Sequence, residues 1–134
     1  MRRTIRIFGA TTVVLLLAFL VSADAQGPTP FKRTVLQQGD LSAPGREAVM
    51  ALAEIQSGAA SGRHTHPGEE IGYVLAGPLI LEMDGKPAKT LQTGDAFIIP
   101  AGTVHNARNT GTGVAKVVAT YVIEKGKPVA TPVQ

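Results

Sequence analysis

From Phe31 onward the chain alternates short apolar runs with Gly, Pro and Asp, and no segment keeps a helical period beyond two turns. This pattern predicts strands at Phe31–Gln37, Glu47–Gln56, Arg63–His66, Glu70–Ala76, Leu79–Met83, Ala88–Gln92, Ala96–Ile99, Val104–Asn109 and Val114–Ile123. Asp84-Gly85 marks a hairpin, because both turn positions favour residues that tolerate positive φ. Thr93-Gly94-Asp95 and Pro100-Ala101-Gly102 mark further turns. The fold class is therefore all-β.

The first residues follow another pattern. Arg2, Arg3 and Arg6 precede an apolar stretch from Ile7 to Val21, strongest over Val13–Val21. That stretch is short for a membrane span, which needs roughly 20 apolar residues. Ala23-Asp24-Ala25 supplies the small-x-small signal of a signal peptidase. The expectation is a signal peptide over residues 1–25, cleaved to leave Gln26, and a periplasmic or secreted protein. An uncleaved anchor is the competing reading, disfavoured by the cleavage signal and by Pro28 and Pro30 just after it. Arg2-Arg3 also leaves a twin-arginine route open beside the general one.

Removal of that segment changes the charge. The whole chain carries net +3, but the signal takes three arginines and one aspartate with it. Ten basic and nine acidic residues remain, and nothing in that balance argues for nucleic acid. The sequence has no cysteine. A mature domain this small must then be held by its core, a subunit interface or a metal. The lack of cysteine also excludes thiolate chemistry, thiolate ligation and an acylated lipoprotein anchor.

The three histidines of the chain sit in two segments. The first runs Gly58, five residues, His64, Thr65, His66, three residues, Glu70, six residues, Gly77. The second runs Gly94, five residues, Pro100, Ala101, Gly102, two residues, His105, three residues, Asn109. Three imidazoles and a carboxylate suit a first-row transition metal. Side chains at i and i+2 of a strand share a face, with Cα atoms roughly 6.5 Å apart. His64 and His66 can thus converge on one ion at the ~2.0–2.1 Å typical of a zinc–nitrogen bond.

With every fixed position filled, the two segments resemble the paired motifs of the cupin superfamily. The resemblance covers residues 58–109 by motif and about 45–125 by general texture. It implies a jelly-roll β-barrel and metal ligands at His64, His66, Glu70 and His105. Glu69 competes with Glu70; the family places its glutamate directly before the Ile-Gly pair, here Ile71-Gly72, which selects Glu70. The implied organisation is a linker and N-terminal strand over 26–44, a barrel over 45–125, and a tail over 126–134 that lies on the barrel or a partner. The cofactor would be one divalent transition metal: iron, manganese, nickel, copper or zinc. No reaction follows, since one fold hosts many chemistries.

Other residues near the motifs read as structural. Gly58, Gly77, Gly94 and Gly102 suit turns or positions that disfavour a Cβ. Asn109 reads as a hydrogen-bonding residue. Alternation points Arg63, Arg108 and Tyr73 away from the pocket. The remaining inward positions are mostly apolar: Val74, Leu81, Met83, Phe97, Ile99 and Ala107. Only 16 residues, Pro78 to Thr93, separate the motifs, enough for a hairpin and no lid. The expectation is a metal-dependent oxidoreductase resembling a dioxygenase, acting on a small oxygen-chelating molecule, with Glu70 able to leave the metal and act as base. The alternatives are a non-catalytic module that binds a small molecule through the metal, and a structural metal site. A homodimer is expected, because an open jelly roll leaves edge strands to cover.

Overall fold

Strict alternation builds the body of the protein. The computed structural model describes residues 29–134, so the signal-peptide expectation lies outside the described residues. In β9 (Ala115–Glu124) every second residue from Ala115 to Ile123 is buried. In β4 (Gly68–Ala76) Gly68, Glu70, Gly72 and Val74 are buried, while Glu69, Ile71, Tyr73 and Leu75 face out. The same period runs through β2 (Arg46–Ile55). A slip of one residue in any of these strands would send its apolar set to water.

The other strands are β1 (Phe31–Asp40), β3 (His64–Thr65), β5 (Leu79–Met83), β6 (Lys89–Leu91), β7 (Ala96–Ile99), β8 (His105–Asn109) and β10 (Thr131–Pro132). They form two five-stranded sheets, ordered β1-β2-β9-β4-β7 and β10-β3-β8-β5-β6, with all named pairs antiparallel. One core joins them: Val49, Ile55, Val74, Ile99 and Ile123 of the first sheet pack with Leu79, Leu81 and Leu91 of the second. Two sheets sharing one apolar interior make the expected jelly roll.

The structure has all nine expected strands, with ends moved by up to three residues. The strand expected over Arg63–His66 shortens to two residues, because Pro67 follows and cannot donate to a ladder. The tail contributes the unanticipated β10, pairing Thr131 with Thr65 and Pro132 with His64. Asp84 and Gly85 make the hairpin between β5 and β6, with Gly85 at φ 75°.

Candidate metal centre

Register assembles the site from both sheets. His64 on β3 stands directly opposite His105 on β8. Glu70 on β4 stands between Ile99 of β7 and Tyr121 of β9. His66 lies just past β3, where its carbonyl accepts the Gly102 amide at 3.0 Å. Gly102, at φ 69°, thereby ties the Pro-x-Gly turn that launches His105 to the segment carrying the other two histidines.

These placements bring His64, His66, Glu70 and His105 together, all buried, with one potential ligand atom from each lying within 4.8 Å of the others. Ligands bonded to one ion at about 2.1 Å stand about 3.0 Å apart when adjacent and about 4.2 Å when opposite. A pair at the 4.8 Å limit would close by about 0.6 Å if opposite and by about 1.8 Å if adjacent.

The hydrogen bonds of the histidines decide which nitrogen faces the centre. Nδ1 of His64 donates to the Gly62 carbonyl at 2.7 Å, that of His66 to the Val129 carbonyl at 2.5 Å, and that of His105 to the Thr103 carbonyl at 2.9 Å. A carbonyl only accepts, so each Nδ1 carries a proton, and a ring with that one proton presents an Nε2 lone pair. Backbone carbonyls in this role fix both tautomer and ring orientation of metal-binding histidines. His66 Nε2 is buried without a hydrogen-bond partner, although Glu70 Oε2 lies 2.9 Å away, and His105 Nε2 lies 3.3 Å from the same oxygen. The close approach thus lacks hydrogen-bond alignment at His66, as befits two donors aimed at a common point. The residues fit a cation of the expected kind.

Electrostatics in the metal-free site point the same way. Burial alone would raise the Glu70 carboxyl, but the His105 and His66 imidazoles beside its Oε2 outweigh burial and hold it down at about 2. Burial pushes the His64 imidazole down to about 4, against the opposing pull of the Gly62 carbonyl. Glu70 is thus an anion and His64 a neutral ring across the physiological range.

Two residues that sequence reasoning missed complete the site. Tyr121 is 1% exposed, and its ring centroid lies 4.6 Å from that of His66. Burial, then the charge of Glu70, pushes its hydroxyl up to about 12. Arg33 on β1 donates from Nε to the Tyr121 hydroxyl at 3.2 Å. Its guanidinium carbon sits 5.2 Å from the centroid of the Phe31 ring and 5.3 Å from that of Tyr121. Both residues lie outside the motifs. Their signal was alternation: Tyr121 is in phase with Ala119 and Ile123, and Arg33 with Phe31.

A cavity of about 30 Å³ opens beside these groups, lined by His64, Glu70, His105, Arg33 and Tyr121 and otherwise mainly by apolar side chains such as Leu81. That is room for about two waters. Val74, Leu81 and Ile99 are fully buried as expected, while Met83, Phe97 and Ala107 are partly buried against the core. A Cβ on Gly72 would come within 2.1 Å of the Phe97 ring, so the glycine makes room for that ring at the cavity wall.

The flanking residues stay outside. Arg63 pairs with Asp84 at 2.9 Å and Arg108 with Glu82 at 3.4 Å, both exposed. Glu69 and Tyr73 face solvent. Asn109 donates to the carbonyls of Ile55 and Gly113 and accepts from the Gly111 amide, a structural clasp.

A two-sheet jelly roll with three histidines and a glutamate gathered in its interior defines a cupin-type barrel. Residues 51–121 match the family model of the cupin domain, and the chain belongs to that family. Among curated proteins it is similar to the HTH-type transcriptional regulator PuuR of Escherichia coli (strain K12), at 33% identity over 79 residues, covering 58% of this chain and 42% of that protein. The chain spans half or less of the length of the curated relatives it matches. The described residues contain no α-helix, and so no helix-turn-helix. Among solved structures, a Klebsiella pneumoniae protein with a double-stranded beta-helix domain superposes with a TM-score of 0.64 at 19% identity, over 79% of this chain and 89% of that one. An oxalate oxidase in complex with the substrate analogue glycolate does so with a TM-score of 0.64 at 24% identity, over 80% and 57%. These two likenesses show the shared fold.

Proposed function

We propose that this domain holds one divalent transition metal through His64, His66, Glu70 and His105 and presents it to a small oxygen-bearing molecule. The observation that carries this reading is the set of three Nδ1–carbonyl contacts, which leaves three Nε2 lone pairs converging on a buried carboxylate. Such an ion supplies Lewis acidity and, if it is iron, manganese or copper, one-electron chemistry. The chain's own residues orient the ligands, exclude bulk water and shape an apolar chamber. A carboxylate held near a pKa of 2 is a weak proton acceptor at neutral pH, so the arrangement favours Glu70 as ligand over Glu70 as base.

The finer reading is a metal-dependent oxidoreductase resembling a dioxygenase. A small-molecule-binding module is the second reading, and one observation favours it. Besides the candidate ligands, the ionisable groups lining the cavity among the described residues are Arg33 and Tyr121, and neither side chain serves as a proton acceptor at neutral pH. Metal analysis of natively produced protein, followed by oxygen uptake with phenols, enols and dicarbonyls, separates the readings. Stoichiometric iron, manganese or copper with metal-dependent uptake supports the enzyme; a redox-inert metal with no uptake supports the module. A chain without stoichiometric metal overturns both.

We also propose export, supported by the charged, apolar and Ala-x-Ala sequence over residues 1–25. Intact mass of the periplasmic or secreted protein should correspond to a start at Gln26; full-length chain in the membrane fraction would contradict this.

A further inference from the structure

Arg33 is a cation beside the candidate metal centre with most of its hydrogen-bonding capacity unused. A guanidinium carries five N–H donors. Among the described residues Arg33 uses one, Nε to Tyr121, and takes no part in an ion pair. Arg63, Arg108, Lys116 and Lys125 all have carboxylate partners. The head group is nevertheless held in place, against both the Phe31 and Tyr121 rings. Its two terminal nitrogens remain as a pre-set fork, a geometry that matches a carboxylate. Among the described residues no other Lys or Arg lines this cavity.

Charge balance adds a second, independent constraint, which rests on the metal reading above. With neutral imidazoles, the charges of Glu70 and Arg33 cancel. A divalent ion then leaves two positive charges in a largely apolar chamber, and unbalanced charge there is costly. An anionic ligand removes that cost. A cavity of about 30 Å³ favours a short ligand over a long one.

We propose that the site takes a short 2-oxo or 2-hydroxy carboxylic acid, its carboxylate gripped by Arg33 and its oxygens shared with the metal. Arg33 is then the residue that selects acids over their neutral analogues. Tyr121 is a positioning residue that fixes the guanidinium.

The test is calorimetric titration of the metal-loaded protein with pyruvate and lactate, and with the uncharged pyruvamide and lactamide. At least one acid should bind ten-fold or more tighter than its amide. Arg33→Gln should abolish that preference while keeping one metal per chain, and Arg33→Lys should retain part of it through charge alone. Equal binding of acid and amide, no binding of either acid at millimolar concentration, or a preference that survives Arg33→Gln would each overturn the proposal while leaving the metal reading intact. A wild-type chain that loads no metal would overturn both. Should Arg33→Gln fold poorly, the wild-type acid–amide comparison and Arg33→Lys still decide.

Discussion

Each of the three imidazoles gives one nitrogen to the fold and keeps the other for the centre, so loss of a ring and loss of a charge have different consequences. His105→Ala removes an Nε2 donor and the ring that packs 4.2 Å from His64, centroid to centroid. It should weaken metal binding by more than the ~10–100-fold typical of losing a supporting partner. Glu70→Gln keeps an oxygen in place and should cost less than any of the three histidine substitutions. Metal content after dialysis against a graded chelator checks the order; full retention in His105→Ala would sink the ligand set. The four candidate ligands were legible in the sequence because their spacing follows strand alternation and matches a family pattern. Arg33 and Tyr121 were not, because alternation gives the phase of each but not which inward positions border the site. Arg33 reaches the site only through β1–β2 pairing, and Tyr121 only through its register opposite Glu70.

The C-terminal tail matters at the scale of elements. β10 is two residues long and offers no period to read, which is why the sequence placed the tail against the barrel or a partner without giving it a strand. The structure shows what it does: the Val129 carbonyl holds His66 Nδ1, and the tail pairs with the strand that carries His64. Two candidate ligands therefore lean on a segment beyond both motifs. Truncation after Lys127 should lower metal affinity roughly 10–100-fold, the usual effect of losing an outer partner of a ligating histidine. The core lies almost wholly upstream of this tail, so the shortened chain should stay folded. Competition with a chelator, alongside circular dichroism, checks both halves; unchanged affinity would remove the tail from the site. The longer strands were readable for the opposite reason, since β2, β4 and β9 each bury one face and expose the other.

At the scale of the whole molecule, edges and protons govern behaviour. β1 is an edge strand of its sheet, and Ile71, Tyr73, Leu75 and Ile98 stand exposed on β4 and β7 of the same sheet. Both features support the homodimer expected from the sequence, since edges and apolar patches call for cover. Sedimentation should give twice the chain mass, and a monomer at high micromolar concentration would count against it. Stability should also couple to metal through pH. His64 titrates at about 4 in the metal-free fold against an ordinary 6.5, so the unfolded chain takes the proton first. Its contribution is full above about pH 6.5 and is lost as pH falls towards 4. Glu70 sits at about 2 against an ordinary 4.5, so its contribution is present above 4.5 and is lost as pH falls towards 2. Both push metal-free stability downward on acidification. Metal binding needs neutral rings and an ionised carboxylate, so protons compete with the ion. At free metal 100 times the Kd, binding adds about 2.7 kcal/mol, a shift on the order of 10 °C for a domain of this size. Thermal melts with and without metal should show that shift at pH 7.5 and a much smaller one at pH 5. The metal-free melting temperature should fall between pH 7 and pH 4, and less so in His64→Gln, which has no proton to take up. An equal metal-induced shift at both pH values would mean that these imidazoles do not hold the ion.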